Sequence, residues 1–274
     1  MVLSDSKWVK NIKCVKGISN SEKVNPALIF DKYFLWGITQ DDTPTYSPNR
    51  KDNCKVQHLE RLIKYKIPLE VTSYSYLKNR KNSLPGIMSF SLNTKTRVIV
   101  NHGGESILKN SILIHPYYGF PIISGSAIKG VTRHYCDEFE IIDEGFKKRI
   151  FGNSPAEKES QRGNILFADA WPKNVNRDSL SDFFELDVFT PHYQDYYQKN
   201  KFPRDDQNPV PVHFIAVKKG IEFEFAIAPL VGYGKENVQE DLDLVRGLIT
   251  NALKTFGIGA KTDSSYGYFE QRVC

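Results

Sequence analysis

Paired cysteines, long apolar runs and methionine are all scarce in this chain of 274 residues. The four cysteines are scattered without a CxxC pair, which argues against a disulfide framework or a zinc knuckle and favours a reducing, cytoplasmic setting. The first twenty residues contain no apolar stretch of signal-peptide length, so secretion is not expected. The longest window without charge, 110–128, contains two prolines and two glycines, so it predicts no membrane-spanning helix.

Histidine spacing and net charge bear on metal binding and on nucleic-acid binding. None of the six histidines stands in an HExxH or HxH pattern, so we predict neither a metal ion nor a cofactor. The chain has 37 Lys and Arg against 32 Asp and Glu, and this mild excess permits a nucleic-acid partner without demonstrating one. Hydrophobic residues make up 40% and aromatic residues 12%, which is enough for a β-rich core and argues against disorder.

The order of predicted elements indicates an α+β fold. The predicted strands and helices are a strand over 90–100, a helix from Ser126, a strand over 163–170, a hairpin with arms 211–217 and 221–228, a helix over 238–256 and a strand over 266–273. This βαββαβ order, with one added hairpin arm, predicts a ferredoxin-like arrangement with long insertions near 101–124 and 172–209. The last helix is the clearest, since its apolar residues recur at intervals of 4, 3, 4, 3 and 4 from Val238 to Phe256. Residues 1–83 carry few signals.

The segment IISGSAIKGVTRH is the first candidate for a binding site. Gly125 allows a turn, and Ser124 or Ser126 can cap the helix that follows. The free amides at a helix N-terminus attract phosphate. Lys129 and Arg133 are four residues apart, so they project from one helix face. The alternative is an ordinary capped helix with two solvated cations.

The segment FGIGAKTDSSYGYF is the second candidate. Gly257, Gly259, Lys261 and Thr262 lie in a glycine-rich loop whose amides and cation suit a backbone phosphate at close range. It is not a P-loop, because Ala260 precedes Lys261 and the loop follows a helix. It is not a Rossmann motif, because Thr262 stands where the third glycine belongs. The alternative is a tight connector whose glycines only serve the turn geometry.

The segment DVFTPHYQDYY is the third candidate. His192 with Asp195 suggests acid–base chemistry, since imidazole titrates near neutrality. Tyr193 and the other tyrosines and proline of this segment suggest instead a packed loop or one that stacks on RNA bases.

Together these segments resemble the RAMP superfamily of CRISPR effector proteins, and within it the Cmr-module subunit family that ends the backbone of type III-B complexes near the guide RNA's 3′ end. The matching segments are HPYYGFPIISGSAIKGVTR (115–133), GNILFADAWP (163–172), TPHYQDYY (190–197), PVPVHFIAVKKGIEFEF (209–225) and GIGAKTDSSYGYF (257–269). The resemblance covers 84–274. It departs from the family pattern at Ser124, where proline is common, and at Ser265, where a glycine is expected.

The resemblance implies a ferredoxin-like or RRM-like palm within a single RAMP domain that spans 1–274. It implies a non-catalytic role in antiviral defence, holding the 3′ part of the guide RNA and the guide–target duplex. The partners it implies are other Cmr-type RAMP subunits and the small subunit of the complex, with no membrane and no cofactor. RNA contacts are expected at the first two candidate segments, and His115, His192 and Tyr193 are candidates for RNA or subunit contacts.

Catalysis is the point on which alternatives remain open. In the related repeating subunit, an Asp in the loop between first strand and first helix carries target cleavage. The corresponding loop here, 101–124, contains no Asp, and Glu105 is its only acid, which argues against nuclease activity. One alternative is a metal-independent endoribonuclease of the RAMP superfamily that acts on CRISPR RNA through His192 or His115. Another is a stand-alone RNA chaperone, which leaves the TPHY match unexplained.

Overall fold

The computed structural model describes residues 37–38, 44–45, 54–64, 78–79, 81–104, 111–116, 118–153, 161–173, 179–190, 202, 211–230 and 238–271. The helices are α1 (Cys54–Ile63), α2 (Gly125–Glu138), α3 (Glu144–Phe151) and α4 (Val238–Thr255). The strands are β1 (Gly37–Ile38), β2 (Pro44–Thr45), β3 (Met88–Thr94), β4 (Ile165–Phe167), β5 (Trp171–Pro172), β6 (Phe184–Phe189), β7 (Val212–Val217), β8 (Glu222–Pro229) and β9 (Phe269–Glu270). No helix in these ranges is long and apolar enough to cross a membrane.

A five-stranded antiparallel sheet forms the centre of the fold. Its strands follow the order β4–β8–β3–β9, and β5 also pairs with β8. Phe90 in β3 lies opposite Phe225 in β8, and their rings stack with centroids 5.6 Å apart. Helices α2 and α4 pack against each other, α2 also contacts β4, and α4 contacts β3, β8 and β9. The predicted α+β class is therefore confirmed.

Helix α4 confirms the prediction made from its apolar spacing. Leu242, Val245 and Ile249 are each at most 1% exposed, so the stripe faces the core. The helix is also tied to α3, because Arg149 Nη2 donates to the buried Asp241 carboxylate at 2.9 Å. Burial of such a stripe provides most of the stability of a helix in water. This helix is therefore a scaffold on which the neighbouring segments rest.

The predicted hairpin between 211–217 and 221–228 is wrong. Strand β7 pairs with β6, whereas β8 pairs with β3 in the central sheet. The cause lies at the buried Thr94, whose hydroxyl donates to the Lys218 carbonyl at 2.7 Å and accepts from the Ile221 amide at 2.9 Å. The turn between β7 and β8 is thereby held against the end of β3, and its two arms separate into different sheets.

Three predicted strands are shorter in the structure: β3 over 88–94, β4 over 165–167 and β9 over 269–270, against predictions of 90–100, 163–170 and 266–273. Strand β3 ends at Thr94 instead of continuing to residue 100, although Val98 still exchanges backbone hydrogen bonds with Val217 of β7 at 2.8 and 3.0 Å. Strand β6 lies inside the predicted long insertion near 172–209 and shows that part of this insertion is regular. The segment after β3 and the insertion therefore build a second, smaller sheet layer, which α1 contacts.

Candidate nucleic-acid interface

The start of helix α2 is capped as the sequence predicts. Ser124 is the cap residue, and its hydroxyl accepts from the Ala127 amide at 3.3 Å. Ser126 is exposed and donates to the Ser124 hydroxyl at 3.1 Å. The Gly125 amide, however, donates to Asp169 Oδ1 at 2.7 Å. One of the helix-start amides is thus already paired with a carboxylate, which makes this point less favourable for phosphate than a free helix N-terminus.

Gly125 is needed here for packing. A Cβ atom at this position would lie 2.0 Å from the Phe167 carbonyl oxygen in β4, a distance no real side chain shows. Glycine therefore lets the first turn of α2 approach the backbone of the neighbouring strand. The residue is buried and positions the helix, while the exposed cations further along the helix remain available for binding.

Two cations of α2, Lys129 and Arg133, form a surface together with Arg162 from outside the helix, and we call this surface the basic face. Burial lowers the pKa of Lys129, and the positive charges of Arg133 and Arg162 lower it further. Arg133 is exposed, and its one ion pair with a described residue is a long contact of 3.9 Å with Asp137, of the kind that contributes little at a surface. Three mutually repelling positive charges are stabilised by a bound anion, so the basic face fits a phosphate.

The glycine loop uses its glycines in a similar way. Gly257 and Gly259 have positive φ values of 71° and 97°, which L side chains rarely adopt. A Cβ at Gly259 would lie 2.2 Å from the Ile99 carbonyl oxygen, and the next amide, of Ala260, donates to that same oxygen at 2.8 Å. The loop therefore lies directly against the chain segment that follows β3.

Lys261 is held above an aromatic ring. Its backbone is left-handed, with φ 61° and ψ 36°, and its Nζ lies 4.0 Å from the centroid of the Phe189 ring in β6. Such cation–π contacts fix an ammonium group while leaving it charged. Thr262 begins a short 3₁₀ turn, and its carbonyl accepts from the Tyr268 hydroxyl at 3.2 Å. The loop thus presents one ordered cation.

A groove of about 620 Å³ lies between α2 and the glycine loop, and we call it the glycine groove. It is lined by Ala127, Val131, His134, Thr255, Phe256, Gly257, Ile258, Gly259, Thr262, Asp263 and Tyr268. The structure therefore brings the first two candidate segments together. Lys129 and Arg133 of the basic face do not line this groove. Each lies two positions after a residue that does, Ala127 or Val131, and two positions correspond to about 200° around a helix. The two predicted RNA contacts are adjacent but face different directions.

His115 lies beside the start of α2. Its Nδ1 accepts from the Tyr118 amide at 3.3 Å, and its ring packs against those of Tyr118 and Phe120 at 4.7 and 5.1 Å. Burial lowers the pKa of His115, and the nearby negative charge of Asp169 partly opposes that shift. The imidazole is therefore favoured in its neutral form. His192 and Tyr193 lie outside the described residues, so their roles stay predictions.

Two residues near the site were not assigned a role from the sequence. Asp169 belongs to the segment GNILFADAWP, and the only local signal is its carboxylate near the end of the predicted strand 163–170. Arg162 precedes that segment, and its positive charge is close enough to Lys129 to lower the pKa of that lysine. Within the described ranges, no group of three or more His, Cys, Asp or Glu side chains is placed to hold a metal ion.

Comparison with known proteins places the chain in a family. Residues 91–270 match the sequence model of the RAMP superfamily. The chain belongs to the RAMP superfamily. It is also similar to the CRISPR system Cmr subunit Cmr6 of Pyrococcus furiosus, at 30% identity over 70% of this chain and 70% of that protein.

Two further relatives extend the comparison. The CRISPR system CMR subunit Cmr6 of Saccharolobus solfataricus is 27% identical over 85% of this chain and 76% of that protein. This RAMP protein is therefore a homologue of the Cmr6 subunits. A chain in the cryo-EM structure of the Type III-B Cmr-beta bound to cognate target RNA covers 98% of both chains with a TM-score of 0.61 and 22% identity, which shows a shared fold.

Proposed function

We propose that this RAMP protein is a non-catalytic, RNA-binding subunit of a type III-B CRISPR (Cmr) RNA-targeting effector complex in the cytoplasm. It holds the 3′ part of the guide RNA and the guide–target duplex, beside other Cmr-type RAMP subunits and the small subunit. The observation that carries this proposal is the 30% identity to a Cmr6 subunit over 70% of both chains. The role is one in antiviral defence.

A ferredoxin-like, RRM-like palm is part of the proposal, within a single domain spanning the chain. The sheet supports it, because β8 lies between β3 and β4, the two strands that α2 connects. In the same way, β3 lies between β8 and β9, which α4 connects. Two interleaved βαβ units of this kind are the split βαβ arrangement of ferredoxin-like folds.

The proposed RNA contacts are electrostatic. The basic face and Lys261 supply positive charges on exposed or half-exposed side chains, at the right places to contact phosphates. Guide RNA carries varied spacer sequence, so a protein that holds its 3′ part gains nothing from reading bases. Phosphate contacts position a strand without sequence information. The proposed contacts are therefore expected to be independent of RNA sequence.

The non-catalytic assignment is supported by the structural roles of the two titratable groups nearest the start of α2. His115 accepts from the Tyr118 amide and packs between aromatic rings. Asp169 accepts from the Gly125 amide. The nearness of this histidine to this carboxylate is the one observation that favours the alternative, a metal-independent endoribonuclease. Both groups are accounted for without catalysis.

The test compares RNA retention with RNA cleavage. The full chain is assembled with its Cmr partners and guide RNA, and the isolated chain is incubated with RNA in EDTA and in magnesium. We expect the complex to retain guide RNA and the isolated chain to leave RNA intact under both conditions. Cleavage in EDTA that is lost in His115→Ala, and kept in the matched variant His134→Ala, would establish the endoribonuclease instead.

A further inference from the structure

A second groove lies on the other side of the glycine loop, and we call it the lysine groove. Its volume is about 610 Å³. It is lined by Lys95, Thr96, Arg97, Glu185, Lys218, Lys219, Ser264, Ser265 and Tyr266. None of these residues belongs to the basic face or to the RNA contacts proposed above.

Three chain segments are hydrogen-bonded to one another around this groove. The amides of Lys95 and Thr96 donate to the Tyr268 carbonyl at 2.8 and 3.3 Å, which joins the end of β3 to the glycine loop. The Gly220 amide donates to the Thr94 carbonyl at 2.8 Å, which joins the β7–β8 turn to the same point. The lysines therefore stand on a backbone that is fixed before any ligand arrives, which lowers the entropic cost of binding.

The charges of this groove do not cancel. Arg97 forms an ion pair with Glu185 and a second one with Asp187 at 3.0 Å, so one guanidinium offsets part of the charge of two carboxylates. Lys95 and Lys219 are exposed and Lys218 is half-buried. In the part of the chain that the structure describes, these three lysines form no ion pair. The three lysines and Arg97, set against Glu185 and Asp187, leave a net charge of +2 (4 − 2) for an external anion.

The lysine groove lies next to the glycine groove along the chain. The 3₁₀ turn Thr262–Ser264 separates them, with Thr262 and Asp263 lining the glycine groove and Ser264 lining the lysine groove. Ser265 adjoins the turn with a left-handed backbone at φ 67° and exposes a further hydroxyl. A polyanionic chain that crosses the turn would contact both grooves, whereas a single small anion would contact one.

We propose that the lysine groove binds the phosphate backbone of an RNA strand through Lys95, Lys218 and Lys219. Lysines on separate segments of an open groove suit consecutive phosphates better than one enclosed ion. The ring of Tyr266 is held in the fold, because its hydroxyl donates to Asp187 Oδ2 at 2.7 Å and its ring packs against Phe214, so the proposed contacts are those of the lysines with phosphates. Binding here is accordingly independent of sequence. The inference rests on the proposed RNA-binding function and adds a contact surface to it.

The test removes the three charges together. The full chain carrying Lys95→Gln, Lys218→Gln and Lys219→Gln is compared with the wild type, alone with single-stranded RNA and in the assembled complex. At about 0.7 per contact on a single strand, the slope of log K against log salt should flatten by about 2. The matched control triple, Lys64→Gln, Arg246→Gln and Lys254→Gln, removes three exposed charges outside both grooves.

The outcomes separate the two proposals. A flatter slope in the lysine-groove triple than in the control triple, with equal thermal unfolding midpoints, supports the inference. Equal slopes in the two triples, with RNA bound by the wild type, overturn it and leave the proposed function standing. Loss of complex assembly with unchanged RNA affinity of the chain alone overturns it in favour of an acidic protein partner. A wild type that binds no RNA in either form overturns both.

Discussion

Gly125 and Gly259 each let the chain approach another backbone, yet the surfaces around them differ. At Gly125 the amide is paired with Asp169, and the cations stand further along the helix on a separate face. At Gly259 the loop is bent by a φ of 97°, and its cation, Lys261, is fixed on an aromatic ring. The first region thus presents several charges, and the second presents one charge held on an aromatic ring.

This difference indicates which side chains are candidates for the proposed RNA contacts. At each glycine one backbone amide is already bound within the protein, the Gly125 amide by Asp169 and the Ala260 amide by the Ile99 carbonyl. In the proposed function, the glycines allow the close backbone packing, and the lysine and arginine side chains are the proposed RNA contacts. Substituting a glycine should therefore act on stability, whereas substituting a cation should act on affinity.

The largest effect is expected in α4, on which both regions rest. It packs against α2 and leads directly into the glycine loop. Leu242→Ala or Ile249→Ala should lower the free energy of unfolding by about 2–5 kcal/mol, since both side chains are fully buried. The control is Leu244→Ala, because Leu244 is 42% exposed. Denaturant unfolding measures the difference, and a loss below about half a kcal/mol in both core variants would contradict this fold.

The next largest changes in stability are expected for substitutions of the glycines. Gly125→Ala should cost about 1–3 kcal/mol of stability, because the new Cβ overlaps the Phe167 carbonyl. Gly259→Ala should cost a similar amount from its left-handed backbone. Gly130 lies in the same helix as Gly125 with nothing within 4 Å of a Cβ, so Gly130→Ala should stabilise by about 1 kcal/mol.

Thermal or chemical unfolding of the three variants decides this contrast. Opposite signs for Gly125→Ala and Gly130→Ala are the expected result. Equal and small effects for both would show that α2 does not press on β4 as described.

The cations should change affinity more than stability. Lys129→Gln with Arg133→Gln should flatten the slope of log K against log salt by about 1.4, and Lys261→Gln by about 0.7, on unrelated RNAs alike. The control is Arg246→Gln, an exposed charge on α4. Salt titrations of RNA binding in the assembled complex measure the slopes. Unchanged slopes in all variants, with assembly intact, would assign these cations to the fold or to a protein interface.

The smallest effect concerns pH. The pKa of His115 is lowered by folding, so the unfolded chain binds a proton more readily than the folded one. Stability is therefore full above about 6.5, the ordinary value, and is lost as pH falls through the folded pKa. His115→Gln should flatten the fall in unfolding free energy as the pH drops below about 6.5. An unchanged profile would show that the imidazole is not shielded from water.

Local signals account for what the sequence could predict. The spacing that buries Leu242 and Ile249, and the cap at Ser124, depend on residues within a few positions of one another. The class α+β follows from such elements in order. These features need no knowledge of the tertiary structure, so periodicity and capping chemistry identify them.

The features that the sequence could not predict depend on long-range contacts. The bond from Gly125 to Asp169 spans 44 residues, and the one from Thr94 to Lys218 spans 124. The pairing of β6 with β7 is also not encoded in either strand alone, which is why a hairpin was predicted in its place. Strand partners are selected by packing across the whole fold, and one sequence does not reveal them.

The central claim is that this chain holds the 3′ part of a guide RNA through its cations. The most direct measurement is ultraviolet crosslinking of the assembled complex, with a photoreactive nucleotide placed near either the 3′ or the 5′ end of the guide. The account predicts crosslinks from the 3′ position to peptides that contain Lys129 to Arg133 and Lys261 to Thr262. Crosslinks to this chain from the 5′ position alone, or to peptides remote from both clusters, would contradict it.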